Sequence, residues 1–406
     1  MAVQLIQSPE LFVRLYDTNI SNFKVYAPEY INEDFAFNIK YLVGTTALST
    51  DIVLSDNQGY AYFNPTEYLK SKYTRYIFPT QESGMIQSNT NIITNVNVNL
   101  GMQYGDPLVY YSGTSYTKYY YYGRETYENY NYTYNPLYWI MNSGGTGRFL
   151  SPVNEFYVSD DEPMWLNFIF FNPNATDTTL NIKVRFYDIN DDLVSASQTA
   201  ETFTNKSYYF LGCGPMNFSG ITFPTGYSYY DFYFSIGAGE EEIVYSETIR
   251  IRIKNKCDKY GSKILYWTNS EGGVNQMKFF RKSRTIIKYN RSYFDKYLNP
   301  NYSTTSTFTN VRGRSQYSNE ILQTELLTTD WLEDVETELL KSLLDSNDVY
   351  IIEPDDKQAS GYRFIPCLIT TNDFELKNNF NDGMYSYVIE VAYSNQQVNQ
   401  SDNYIY

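Results

Sequence analysis

The chain has 406 residues, more than one ordinary domain needs, and its 42% hydrophobic and 19% charged residues describe a globular protein. Tyr is the outlier at 45, with 25 Phe and 4 Trp, a composition that favours strands over helices. The absence of His excludes a Ser-His-Asp triad, a Cys-His dyad and imidazole metal ligation, and a net charge of −15 disfavours non-specific DNA binding by the chain as a whole.

The opening Met-Ala-Val-Gln-Leu-Ile-Gln-Ser-Pro carries no basic or long apolar stretch, so no secretory signal is expected and synthesis is placed in a cytoplasm. In the first third, Phe35, Phe37 and Ile39 alternate with Ala36, Asn38 and Lys40. Asp56-Asn57-Gln58-Gly59 forms a turn before Tyr60-Ala61-Tyr62-Phe63, and Pro65 to Lys72 suits one short helix. Val96, Val98, Leu100 and Met102 alternate with Asn95, Asn97, Asn99 and Gly101, which predicts a strand with one polar face. Tyr104 to Tyr138 then carries 13 tyrosines in 35 residues, among them Tyr119, Tyr120, Tyr121 and Tyr122. Broken by Gly and Asn, this tract reads as a long excursion or an irregular hairpin. Gly144-Gly145-Thr146-Gly147 marks a domain boundary.

The middle third carries the strongest β signal. Trp165 to Phe171 is the longest apolar run, of strand length and far below the roughly 20 residues of a membrane helix, so no membrane insertion is expected. Leu180, Ile182, Val184 and Phe186 alternate with polar neighbours. With Tyr229 to Ile236 and Thr248 to Ile253 they give at least four antiparallel strands, the pattern of a β-sandwich.

In the last third, Lys263 to Trp267 and Gln276 to Phe280 read as strands around the turn Asn269-Ser270-Glu271-Gly272-Gly273. The Gly pair suits a tight turn needing positive φ, and Trp267 is expected to anchor packing between the sandwich core and a helix. A polar, Ser/Thr-rich stretch follows from Asn299 to Tyr317. A long amphipathic helix is predicted over Trp331 to Ser346, with Leu332, Val335, Leu339, Leu340, Leu343 and Leu344 on one face, Asp330 as cap and Glu333 as capping-box partner; Trp331 is assigned a packing role. Val349 to Ile352, Phe364 to Ile369 and Tyr385 to Tyr393 return to strand. The expected fold is mainly β: an N-terminal β domain over 1–150 with the Tyr-rich excursion at about 104–138, a β-sandwich over 151–256, and a C-terminal α+β assembly domain over 257–406. The first two are antiparallel and sandwich-like.

Charge is uneven. Residues 1–249 hold 12 basic and 26 acidic side chains (net −14), 250–317 hold 15 and 3 (net +12), and 318–406 hold 4 and 17 (net −13). The basic block contains Lys278, Arg281, Lys282, Arg284, Lys288 and Arg291, interleaved with Phe279, Phe280, Tyr289 and Tyr293. Such a block suits an acidic subunit surface, a solvated face or a single nucleic-acid strand. Because the same chain supplies acidic surfaces, head-to-tail self-assembly against a neighbour's acidic helix is the favoured expectation. The tyrosine tract is expected to be buried between subunits rather than stacked on glycan, since Tyr gives large contact area at low entropic cost.

Candidates for chemistry are sparse. Cys213, Cys257 and Cys367 are odd in number and widely spaced, which predicts buried free thiols rather than disulfides or a zinc site. Asp160-Asp161-Glu162, Asp191-Asp192 and Asp355-Asp356 could supply the paired carboxylates of a glycosidase, but they sit at predicted turns, where Asp is common. Asp188, Asn190 and Asp192 open like a calcium loop, yet the following Gly is absent and position twelve is Thr199. No P-loop, dinucleotide fingerprint or G-x-S-x-G motif occurs. No catalytic residue, cofactor or metal ligand is assigned.

Ile251-Arg252-Ile253, then Cys257, then Ile264-Leu265-Tyr266-Trp267-Thr268-Asn269-Ser270-Glu271-Gly272-Gly273, then Phe279, resembles a pattern in virion proteins of phages that infect Bacteroidetes, including the crAss-like phages. Trp331-Leu332, Val349 and Pro366 fit it, as do Gly59-Tyr60-Ala61-Tyr62-Phe63-Asn64 and Glu67-Tyr68-Leu69-Lys70-Ser71. A Tyr- and Asn-rich, Ala-poor composition also suits an AT-rich phage genome. The resemblance implies a non-enzymatic tail-hub or neck subunit of the virion. It would form a homo-oligomeric ring around the tail axis, beside other tail and neck proteins. It leaves open whether the basic block faces a subunit or DNA in the tail lumen, and it brings no catalytic residues. The tyrosine tract departs from the pattern and is read as a partner-docking element. The alternatives are a receptor- or glycan-binding tail protein and, behind it, a polysaccharide depolymerase.

Overall fold

The computed structural model describes residues 3–9, 11–16, 22–32, 34–71, 78–79, 85–89, 94–107, 109–124, 139–140, 147–171, 177–204, 207–218, 221–236, 242–254, 259–295, 314–355, 357, 361–371 and 386–394. The described residues are mainly β, 60% strand against 8% helix, as the aromatic-rich composition predicts. In order come β1 (Gln4–Gln7), β2 (Phe12–Arg14), β3 (Phe23–Tyr26), β4 (Ala36–Val43), β5 (Thr46–Val53), β6 (Tyr60–Phe63), α1 (Thr66–Lys70), β7 (Ile86–Asn89), β8 (Thr94–Tyr104), β9 (Val109–Tyr121) and β10 (Trp139–Ile140). The middle holds β11 (Glu155–Val158), β12 (Trp165–Phe171), β13 (Asp177–Tyr187), β14 (Leu193–Thr204), β15 (Ser207–Gly212), β16 (Tyr229–Ile236), β17 (Ile243–Val244) and β18 (Ile249–Ile253). The last part holds β19 (Lys263–Thr268), β20 (Val274–Phe279), β21 (Arg284–Asp295), β22 (Arg314–Thr328), α2 (Asp334–Leu344), β23 (Val349–Pro354), β24 (Tyr362–Ile369) and β25 (Val388–Tyr393).

Among the described residues these strands build five sheets: β1-β3-β6, β2-β9-β8-β4-β5, β10-β12-β15-β7, β11-β18-β16-β13-β14 with β17 beside β16, and β20-β19-β23-β24-β25-β22-β21. Most sheets draw on one stretch of sequence. The exception is the four-stranded sheet, in which β7 pairs with β15 and β10 with β12, tying the first 150 residues to the middle of the chain.

Period-2 patterning explains β8. Val96, Val98, Leu100 and Met102 are buried while Asn95, Asn97 and Asn99 face outward. Over its first half the tyrosine tract is the irregular hairpin rather than the long excursion: β9 pairs antiparallel along β8 from Val109 to Tyr120, with a register shift between Asn99 and Gly101. Residues 125–138, like Gly144 to Thr146, Cys257 and 299–313, lie outside the described residues.

The helix is shorter than expected. It runs over 11 residues, Asp334–Leu344, instead of Trp331 to Ser346, and is of ordinary length. Asp330 does not cap it, because its carboxylate pairs with Arg281 at 3.0 Å. The capping pair falls three residues later, where Glu336 Oε2 accepts the main-chain N–H of Glu333 at 3.0 Å. Leu332, Leu339, Leu340 and Leu343 are buried, as the 3.6-residue period requires. Trp331 corrects its packing assignment: it is 52% exposed, and Leu332 takes the buried position.

Three apolar clusters form the core. One fills the N-terminal sheets around Phe23, Phe37, Tyr41 and Leu100. The largest joins the middle sheets to α2 and the last sheet through Phe168, Phe234, Trp267, Leu340 and Val391. The third joins all three parts through Phe12, Tyr121, Leu150, Trp165, Tyr266 and Val274. Each fully buried aromatic side chain in these clusters contributes on the order of 1.5–3 kcal/mol.

Candidate functional site

The turn between β19 and β20 is where the three parts of the chain converge. Asn269 organises it. Its Nδ2 donates to Leu150 O at 2.8 Å and to Asn275 Oδ1 at 2.7 Å, and its Oδ1 accepts from the Gly273 N–H at 3.0 Å. Asn167 Oδ1 accepts from the Val274 N–H at 2.7 Å, and Tyr208 Oη donates to Gly272 O at 3.0 Å. Arg14 from β2 reaches Glu271 at 3.6 Å in a buried ion pair. Gly272 has φ of +90°, and a Cβ there would lie 1.8 Å from Tyr122 O; one on Gly273 would lie 2.0 Å from Leu150 O. Trp267 is fully buried, and its Nε1 donates to Ser342 Oγ of α2 at 3.0 Å. This turn, Trp267 and the Gly pair hold the fold together.

The four tyrosines singled out in the sequence belong to the same region. Tyr120 and Tyr121 are fully buried in the chain's own core. Tyr119 stacks on Phe12 at 5.3 Å and Tyr122 meets Tyr16 edge-on at 5.4 Å. The assignment of Tyr120 and Tyr121 as contacts between subunits is therefore corrected: their surface is already spent inside the molecule.

The basic block divides in two. Six basic residues of its first half are paired within the chain: Arg250 with Asp231 at 2.9 Å, Arg252 with Glu155, Lys254 with Glu336 at 3.2 Å, Lys263 with Glu353 at 3.1 Å, Lys278 with Asp161 at 3.2 Å and Arg281 with Asp330 at 3.0 Å. Arg281 also lies 5.8 Å from the Trp331 ring. Lys278 and Arg281 thus have acidic partners within their own chain.

The second half projects. β21 and β22 pair from Arg284↔Leu326 to Asp295↔Arg314, but β25 reaches β22 only from Thr324 to Thr328. The outer ribbon, Ile287–Asp295 with 314–323, has no third strand among the described residues. Lys288 and Arg291 sit on it, Arg284 stands at its base where β25 still backs β22, Lys282 just precedes β21, and all four are exposed. So are Ile287 (46%), Tyr289, Tyr293 and Tyr317. Lys288 makes only a loose 3.8 Å bridge to Glu390, and Arg291 lies over its neighbour Tyr289 at 5.2 Å. An isolated two-stranded ribbon is marginal in water, and this one has apolar and cationic groups on both faces. Sequence reasoning found the basic residues but not the arm. The readable signal was two long runs free of Gly and Pro, 284–295 and 314–328, on either side of a polar stretch.

Carboxylates elsewhere are engaged locally. Asp188 Oδ1 accepts from the main-chain N–H groups of Asn190 at 2.8 Å and Asp192 at 2.9 Å, so the calcium-like spacing is a self-satisfied turn. Among the described residues no cluster of three metal-ligating side chains occurs. Glu162 is buried; its carboxylate accepts from the Ser159 N–H and from Gln276 Nε2, each at 3.2 Å, and burial pushes its pKa up to about 7. A cavity of about 30 Å³ beside it, lined by Tyr157, Lys254, Gln276, Lys278 and Glu336, has room for two or three waters. Cys213 and Cys367 are buried free thiols, and burial raises both, Cys367 to about 12.

Comparison of the chain with protein-family models and with curated proteins found no match.

Proposed function

We propose that the chain is a non-enzymatic structural subunit of a phage tail, a hub or neck ring component, that assembles with copies of itself and with neighbouring tail proteins. The projecting β21–β22 arm carries this reading. It is a cationic, aromatic ribbon on a body that is otherwise strongly acidic, so a second copy offers the complementary surface. A specific surface of one sign facing another of opposite sign fixes register and suppresses wrong partners. The motif resemblance supplies the setting, a virion tail assembled in the host cytoplasm. The layout consistent with it is two sandwich-like units, 1–150 and 151–256, followed by an α+β assembly unit over 257–406.

A second reading, a glycan-binding tail protein, draws on the outer face of the β4-β8-β9 sheet. There Asn38 bonds Gln103 at 3.1 Å, Thr117 bonds Asn97 at 2.7 Å, and Lys40 lies 4.6 Å from the ring of half-exposed Tyr110. Amides, hydroxyls and an open ring on a flat face suit a saccharide.

Electron microscopy of the purified protein, with antibody labelling of intact virions, separates these readings. Rings, with label at the head–tail junction or tail body, are the expected result. Small oligomers with label at fibre tips would favour glycan binding, and unlabelled virions would overturn the structural reading.

A further inference from the structure

The arm needs a seat, and the open strand edges of the molecule narrow the choice. Of the strands that end a sheet, β14 and β21 are the longest, 12 residues each. Among the described residues, β14 pairs only with β13 and β21 only with β22. Neither contains Pro or Gly and neither is short; β14 holds one charged side chain, Glu201, and a bulge at Val194, while β21 carries Arg284, Lys288 and Arg291, cations that guard its edge against a copy of itself but not against an acidic edge.

Their charges are opposite. The β13–β14 hairpin, 177–204, holds two basic and five acidic residues, a net of −3. Its two bases, Lys183 and Arg185, are held by Glu242 at 3.0 and 3.7 Å. The arm segment 282–323 holds seven basic and two acidic residues, a net of +5. Side-chain sizes are complementary too: β14 offers Ala196, Ser197 and Ala200, whereas β21 offers Ile286, Ile287 and Tyr289. Like-with-like pairing across a two-fold axis would set cationic edge against cationic edge, or acidic tip against acidic tip, and like charges facing each other across strands are unfavourable.

We infer that the β21 edge of one copy adds antiparallel to the β14 edge of a second copy, with Glu201 opposite Arg284 and Arg291 diagonal to Asp192. The inference rests on the reading of the chain as a self-assembling subunit. In this register Ala196 faces Tyr289 and Ser197 faces Lys288, so small residues receive large ones. Main-chain bonds along the edge supply affinity, and the two charge pairs set the register. Neither Glu201 nor Arg284 has an ion-pair partner among the described residues, so the contact breaks no existing bridge. Because the two edges differ, the contact is head-to-tail, and repetition closes a ring or propagates a helix.

The test uses the full chain. Sedimentation of the wild type, Glu201→Arg, Arg284→Glu and the double variant is compared at about 0.1 M salt, where net repulsion is screened to roughly 10 Å. Each single reversal is expected to weaken association by about tenfold or more, and the double variant to recover it. Separately, an equimolar mix of Glu201→Cys and Arg284→Cys chains is oxidised. A disulfide-linked heterodimer of the two variants is expected, since directly opposed Cβ atoms lie about 5 Å apart. If the wild type assembles but the reversals change nothing and no cross-link forms, the edge pairing is wrong while self-assembly stands. If the wild type stays monomeric at every concentration, both fall together.

Discussion

Gly272 shows how one residue decides whether three parts of the chain can meet. Its φ of +90° already disfavours any side chain, and a Cβ would fall 1.8 Å from the main-chain oxygen of Tyr122, which has no rotamer with which to retreat. Gly272→Ala should therefore cost about 3 kcal/mol or more in urea unfolding, whereas the same change at Gly226, also at positive φ but with open space around it, should cost no more than about 1–2 kcal/mol. Equal losses at the two sites would mean that backbone conformation, not contact, sets the requirement. Glu162 makes a pH-dependent case. Burial raises its carboxyl from 4.5 to about 7 in the folded chain. As pH climbs from 4.5 the unfolded chain sheds this proton first, so stability falls across the window and levels off above about 7. Glu162→Gln keeps the shape without the charge. It should match the wild type at pH 4.5 and exceed it at pH 8 by up to about 3 kcal/mol. A gain that is the same at both pH values would assign the effect to packing.

At the scale of elements, what the sequence disclosed depended on whether burial was one-sided. The leucines of α2 repeat at the helical period because one face is buried, and the alternation of Val and Asn in β8 is readable for the same reason. The start of α2 was misplaced because Asp330, a good cap by type, is taken by Arg281, a partner 49 residues away. β9 was obscured because tyrosines stand on both of its faces, so its period-2 signal is flat, and its pairing with β8 shifts register between Asn99 and Gly101. The fate of Tyr120 and Tyr121 was equally hidden: composition shows large contact area, not whether the chain or a partner fills it. The arm escaped for the opposite reason, with both faces exposed and no apolar period. Its exposure also makes it separable. Replacing residues 288–322 with an Asn-Gly turn retains the pairing of Ile287 with Gln323 and of Ile286 with Thr324. Among the described residues the one ion pair to the body that this removes, Lys288 with Glu390 at 3.8 Å, is an exposed one worth little. The shortened chain should melt within a few degrees of the wild type, measured by circular dichroism, yet fail to assemble. Normal assembly without the arm would transfer that role to another surface.

Over the whole molecule, two electrostatic effects act on assembly in opposite directions, and they differ in range. Each copy carries a net −15, so approaching bodies repel through any distance that the solvent does not screen. The contacts between the cationic arm and an acidic edge act only within a few ångströms. At about 0.01 M salt the Debye length is roughly 30 Å, and body-to-body repulsion extends across most of the approach. At about 0.1 M it shrinks to roughly 10 Å, which removes most of that repulsion while close charge pairs at the edge survive. Near 1 M, roughly 3 Å of screening reaches the pairs themselves. The assembled fraction, followed by sedimentation across this range, should therefore pass through a maximum near 0.1 M. A steady rise with salt would mean that the contact is apolar and the arm's charges serve solubility. A steady fall would mean that attraction by the arm outweighs the net charge even at long range, which the balance of −15 against a local +5 argues against.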